Sequence, residues 1–347
     1  MTIPNLGASS ALTFCFTNRT GGCIIVYYFY PTKLGFRPLS KGDIAMRKIV
    51  PILLALLLGL SACGTASPQP SSQQAEDSGV VVVATTYPVY LFATAVTAGV
   101  PGYEVRLMID QPVSCLHDYT LSVSDMRTLE AADVVVMNGA GLEETLADAL
   151  DSIDGVPVID CSAGIELLPG ENPGEGDPHI WMDPSLAGTM TETIAEELSA
   201  QDPDNAEGFS ANAQAAREQL TAAYHEMKEE LAGLSCRELI TFHDGFSYFA
   251  RAFDLTILRS IEEEAGSEAS AKDVGDILAE IESHDLPALF TEVNGATATA
   301  EMISRESGVA VASLDLIMSR DHGDRTGIDA YLARMANNIS TIREVYP

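Results

Sequence analysis

The amino-acid sequence predicts an α/β protein made of two (β/α) lobes, each built on a parallel sheet. Three observations predict it. From residue 80 onward, short apolar runs alternate with helix-like segments, the pattern of βαβ units. That alternation occurs twice, once before residue 200 and again after residue 237. Between the two lies Ala206–Leu234, rich in Ala, Glu and Gln and free of proline, long enough for one helix to span the molecule and link two halves. A chain of 347 residues is also long enough for two cores.

The elements follow in order. Val80–Thr86 is a buried strand stopped by Pro88, and Val89–Gly99 a helix. Glu104–Ile109 is the second strand. Ser122 and Ser124 are N-cap candidates for a helix over Asp125–Ala132. Asp133–Asn138 is the third strand, followed by Gly139-Ala140-Gly141 and a helix from Glu143; Val156–Asp160 is the fourth strand. Residues 165–177 form an acidic loop with Gly and Pro. A helix over Ser185–Ala200 ends before Asp202-Pro203-Asp204. In the second half the strands are Glu238–Phe242, Leu255–Leu258, Ala288–Glu292 and Val309–Leu314. The helices are Phe246–Phe253, Ser270–Ser283, Ala296–Ser307 and Gly327–Tyr346. The lobes therefore take residues 80–204 and 235–347, with 205–234 as the linking helix.

The first 62 residues differ from the rest. Met46-Arg47-Lys48, an almost wholly apolar run from Ile49 to Ser61, and Ala62-Cys63 read as the n-region, h-region and cleavage site of a signal peptide. The run is too short for a comfortable spanning helix of roughly 20 residues. Its ending, Leu60-Ser61-Ala62-Cys63, resembles the bacterial lipobox, which makes Cys63 the lipidation site. Residues 1–45 then read as upstream leader ahead of a true start at Met46, residues 46–62 as the signal peptide, and the Ser-, Pro- and Gln-rich residues 63–79 as a lipid-anchored tether.

Charge narrows the partners. The formal net charge is −31, with 19 basic and 50 acidic side chains, which argues against nucleic acid because phosphate binding needs a basic face. Removing residues 1–62 takes away six bases and one acid and leaves a net of −36. Such a surface keeps an exported protein soluble and raises the local concentration of cations. Anchoring would come from acyl chains at Cys63, since anionic headgroups repel this body. An exported compartment permits disulfides. Cys115 and Cys161 follow strands of the same half and are the preferred pair; Cys115 as a thiolate metal ligand is the competing reading.

Three histidines carry the functional signal. Asp177-Pro178-His179-Ile180-Trp181-Met182-Asp183-Pro184 holds the only tryptophan, and its two prolines keep it out of a helix interior. Cys115-Leu116-His117-Asp118-Tyr119 and Thr241-Phe242-His243-Asp244-Gly245 each set a histidine beside an aspartate after a strand-like run. Ligands gather beyond the carboxyl ends of strands in open α/β sheets, where His117, His243, Glu292 and Asp315 all fall. Three neutral imidazoles and a carboxylate (His117, His179, His243 and Asp315) suit Zn²⁺, and Mn²⁺ accepts the same set with more oxygen contact. These residues come from both halves, which places the metal between the lobes. Asp118, Asp183 and Asp244 read as partners that orient or charge-balance the histidines, and Glu292 as such a partner or an alternate ligand. His225, His284 and His322 read as surface residues.

The wording around these residues resembles the zinc/manganese ABC-importer solute-binding lipoproteins, the zinc-uptake and treponemal metal-binding types. The matching stretches, in order, are Thr86-Tyr87-Pro88-Val89-Tyr90, His117-Asp118-Tyr119 with Ser122–Asp125, Ala132–Glu143, Asp177–Pro184, Phe242–Phe246 and Leu314-Asp315. The resemblance implies two lobes joined by one rigid helix, with one metal ion per chain held as transported cargo between them. His117 and His179 would come from the first lobe, His243 and Asp315 from the second. It implies an exported, lipid-anchored monomer on the outer face of the cell membrane or in the periplasm, with an ABC permease and its ATPase as partners. A histidine at position 243, where manganese-leaning relatives often have a carboxylate, leans towards zinc. Two features depart from the family: Asp315-Leu316-Ile317 replaces the usual Asp-Pro-Leu, and the loop 165–177 has no histidine. The rival from another class is a zinc hydrolase using the three histidines, although no His-Glu-x-x-His run is present. A surface adhesin is the third reading.

Overall fold

The computed structural model describes residues 11–17, 23–29, 79–113, 116, 119–170, 174–261, 270–295, 297–320, 323 and 325–346. The expectations for residues 46–78, including lipidation at Cys63, lie outside them. The chain divides into two units, Met1–Gln73 and Gln74–Pro347. In the first, β1 (Ala11–Thr17) and β2 (Cys23–Phe29) pair antiparallel, Ala11 opposite Phe29.

The second unit holds two four-stranded, all-parallel sheets. One has the order β4-β3-β5-β6, from β3 (Val80–Ala84), β4 (Tyr103–Leu107), β5 (Val134–Met137) and β6 (Val158–Asp160). The other has the order β10-β9-β7-β8, from β7 (Glu238–Thr241), β8 (Thr256–Ser260), β9 (Ala288–Glu292) and β10 (Ala310–Leu314). Central strands covered on both faces need continuous apolar side chains. Val82, Val83 and Ala84 of β3 and all five residues of β9 are accordingly buried.

The helices are α1 (Tyr87–Val96), α2 (Val123–Leu129), α3 (Ala147–Asp151), α4 (Pro184–Gln201), α5 (Ala206–Glu230), α6 (Ser247–Ala252), α7 (Ala271–His284), α8 (Ala298–Ser307) and α9 (Gly327–Val345). Ser122 caps α2 and Ser270 caps α7, each through a capping box closed by an aspartate three residues on. Asp202 bonds Asn205 and turns α4 back into α5. The 25 residues of α5 would extend about 37 Å at 1.5 Å per residue. Phe209, Ala213, Ala216, Leu220 and Met227 form its buried stripe, and it packs against α1, α4 and α9.

Most ends shift by one to three residues, as the helices found at Tyr87–Val96 and Val123–Leu129 show, and two differences have a clear cause. α5 stops at Glu230 rather than 234, because buried Leu231 closes the last turn and Gly233 is a poor helix former. No α-helix starts at Glu143. Gly139, Ala140 and Gly141 all have positive φ, and the Glu143 carboxylate turns back to accept from the Asn138 and Gly139 amides, so only a 3-10 turn over Glu144–Leu146 precedes α3. Residue 139 must be glycine, since a Cβ there would sit 1.8 Å from Asp160 Oδ1. Among the described residues, no helix is long and apolar enough to cross a membrane.

Candidate metal centre

His179 is placed by a short, heavily bonded loop. Asp177 Oδ1 accepts from the His179 amide at 2.9 Å and sits 2.8 Å from its Nδ1. A carboxylate at Nδ1 holds the proton there and leaves the Nε2 lone pair for a cation. Both side chains are almost fully buried, at 2% and 4% exposure. The loop is fastened on three sides. Asn138, at the end of β5, donates from Nδ2 to Pro178 O at 2.9 Å. Tyr248 of α6 donates to Asp177 O at 3.0 Å and accepts from the Leu168 amide. Trp181 donates from Nε1 to Leu316 O at 2.8 Å, and Tyr331 of α9 donates to Trp181 O at 2.7 Å.

His243 directly follows Phe242 at the end of β7, with 1% exposure. Its carbonyl accepts from Thr241 Oγ1 at 2.9 Å. The His179 and His243 ring centroids lie 5.3 Å apart, nearly perpendicular. Asp244 Oδ1 is 3.6 Å from His243 Nε2 and accepts no hydrogen bond among the described residues. His179, His243 and Asp244 each offer a ligand atom, and these atoms lie within 4.8 Å of one another. Two nitrogens and a carboxylate oxygen, mostly buried and drawn from the two halves, form a donor set that Zn²⁺ and Mn²⁺ accept.

The remaining expected residues fare differently. His117, Asp118 and Cys115 lie outside the described residues, as does His322. Their neighbours are anchored: Leu116 is buried and its carbonyl accepts from Thr145 Oγ1. Asp315 does not join the cluster. Its Oδ2 is 2.6 Å from Arg334 Nη1 and its Oδ1 accepts from the Ile317 amide at 2.7 Å. Asp183 neither touches nor orients a histidine in the described contacts; it caps α4 through the Ser185 amide and pairs with Arg251 at 3.2 Å. Asp177 has the orienting part, which its position two residues before His179 makes legible. Asp244, expected as an orienting partner, offers an oxygen to the cluster itself. Glu292 ends β9, is buried and lies outside the cluster. His225 and His284 are exposed, the latter 2.8 Å from Glu238.

Two buried groups stand apart from the histidines. Cys161 carries a fully buried thiol that is free among the described residues, and Cys115, its expected disulfide partner, lies outside them; burial pushes the Cys161 pKa up. Glu143 accepts from Thr85 Oγ1 and from the Asn138 and Gly139 amides, yet burial outweighs those bonds and raises its pKa to about 7. It joins the ends of β3 and β5 behind the His179 loop.

Known proteins share this architecture. The family model described as zinc-uptake complex component A, periplasmic (ZnuA) matches residues 82–345. The zinc-binding lipoprotein AdcA of Streptococcus pneumoniae serotype 4 is 28% identical over 315 residues, covering 86% of this chain and 61% of AdcA. The chain thus spans about three fifths of that relative's length. The manganese-binding lipoprotein MntA of Halalkalibacterium halodurans is 27% identical over 227 residues, covering 65% of this chain and 75% of MntA. The crystal structure of ZnuA superimposes with a TM-score of 0.67 at 26% identity, over 77% of this chain and 99% of that one.

Proposed function

This chain belongs to the ZnuA family of periplasmic zinc-uptake components, and from that premise we propose that it captures a divalent metal outside the cytoplasm and delivers it to an ABC importer. The cargo is one Zn²⁺ per chain, with Mn²⁺ as the alternative. His179 and His243 are its core ligands, joined by His117 and by a carboxylate from Asp315 or Asp244. Residues 80–204 and 235–347 act as the two metal-binding lobes, with 205–234 as the linking segment. Cys63 carries the lipid, and the partners are a membrane permease and its ATPase. The observation that carries this reading is the approach of His179 and His243 to 5.3 Å between ring centroids, from loops that follow different sheets.

The mechanism is binding and release without bond chemistry. The family is one of transport components rather than enzymes, and nothing in the site favours the hydrolase. Protonated imidazole cannot ligate, so affinity falls as the solution is acidified. Metal content and competitive titration of the full chain, beside His243→Ala, test the proposal. One tightly held Zn²⁺, with Mn²⁺ weaker and both weakened by the substitution, is the expected result. Preferential Mn²⁺ retention keeps the receptor and changes its cargo. Failure to bind either ion in one-to-one ratio sinks it.

A further inference from the structure

The Asp315–Arg334 contact carries an inference that rests on the proposed capture function and deepens it. Asp315 follows β10, and both its carboxylate oxygens are engaged, Oδ2 by Arg334 Nη1 at 2.6 Å and Oδ1 by the Ile317 amide at 2.7 Å. The pair is largely withdrawn from water, with side-chain exposures of 15% and 16%. The guanidinium lies 5.3 Å from the centre of the Tyr87 ring, so it has a built seat on α1 as well as a partner. The Asp315 backbone is also fixed: Asn338 of α9 accepts from its amide and donates to its carbonyl, both at 2.8 Å.

Ile317 adds a second observation. It is buried, β-branched and at φ 63°, a conformation such residues rarely adopt. Strain of that kind persists where surrounding structure over-determines it. Here it presents the Ile317 amide to Asp315 Oδ1. Asp244 is the contrast, with an Oδ1 beside His243 that accepts no hydrogen bond among the described residues.

A mostly buried carboxylate is costly without a counter-charge. Arg334 supplies that counter-charge to Asp315. A divalent cation that takes Asp315 as a ligand, as the proposed function allows, would compete with the guanidinium for the same oxygen. Any fraction of the protein in which Asp315 is held by Arg334 lowers the apparent metal affinity by that fraction. We propose that Arg334 is the resident counter-ion of the site: metal capture exchanges the guanidinium for the metal on Asp315, and re-formation of the ion pair favours release.

The test is a double-mutant cycle in the full chain, read by competitive Zn²⁺ titration and by the Zn²⁺ dissociation rate. Arg334→Met keeps the stem against Tyr87 and removes the charge. It is expected to bind Zn²⁺ about tenfold more tightly and release it more slowly, within the usual range of coupling energies. Asp315→Asn is expected to bind more weakly, and adding Arg334→Met to it is expected to change nothing further. An Arg334→Met protein that binds Zn²⁺ like wild type, or more weakly, overturns the proposal. Should that variant not fold, the Zn²⁺-loaded wild-type structure decides. Asp315 on the metal and more than about 4 Å from Arg334 supports the exchange; an intact pair beside bound metal overturns it. If wild type itself binds no metal, the capture reading has failed, and that outcome is distinct from every variant result.

Discussion

His179 offers one nitrogen outward because Asp177 occupies the other. Removing that carboxylate lets the ring turn and take the other tautomer. Asp177→Ala is expected to weaken Zn²⁺ binding by about 10- to 100-fold with the fold intact, measured by chelator competition and circular dichroism. Glu143 makes a different residue-level prediction. Its pKa is raised from 4.5 to about 7 by burial, so the folded state holds a proton that the unfolded chain releases. Its contribution to stability is full below pH 4.5 and is lost as pH rises to 7. At 1.36 kcal/mol per pH unit the change is roughly 3 kcal/mol. Denaturant titrations at pH 4.5 and 7.5 should show this component in wild type and not in Glu143→Gln; equal pH dependence in the two would remove the assignment.

At the scale of elements, the candidate site is assembled from chain just beyond strands. His243 follows β7, and β10 leads into Asp315; these ends are steadied by helices that arrive later in the sequence. Asn338 of α9 is fully buried and closes both backbone groups of Asp315. Asn338→Leu strands the half-buried amide and carbonyl of Asp315, and a loss of about 2–4 kcal/mol is expected in urea unfolding. The N-cap of α7 is worth less: Ser270→Ala should cost about 1 kcal/mol in urea unfolding.

For the molecule as a whole, the two halves meet around Trp181. This single tryptophan is fully buried, 5.2 Å from the His179 ring, and bonded to Leu316 and Tyr331 of the second half. Its emission should therefore change when Zn²⁺ binds, and the change should vanish in His179→Ala. An unchanged spectrum at saturating Zn²⁺ would place the metal elsewhere. Bound metal should also raise the melting temperature, by about 4 kcal/mol of stability when free metal is a thousandfold above Kd. The strongly acidic composition favours cation encounter at low salt and should make association slower as ionic strength rises.

The repeated alternation of apolar runs and helix-like segments determined two parallel-sheet lobes, because strands buried on both faces must be written almost wholly in apolar residues. Val80–Ala84 shows this directly, and Ala288–Phe290 of β9 follows it before Thr291 and Glu292. Serines likewise marked the starts of α2 and α7: Ser122 and Ser124 as N-cap candidates for the one, Ser270 at the opening of the other, with Ser122 and Ser270 found as the caps. Histidines beyond strand ends, each near an aspartate, marked the candidate site. Asp177 could be read from its place two residues before His179, but Asp183, Asp244 and Asp315 look alike in sequence, and which partner each takes was decided only by the tertiary structure. Their roles depend on partners far along the chain or on the local turn: His179 for Asp177, Arg251 for Asp183, His243 for Asp244 and Arg334 for Asp315. A carboxylate takes the nearest desolvated cation or donor, and that neighbour is fixed by packing between elements rather than by spacing within them.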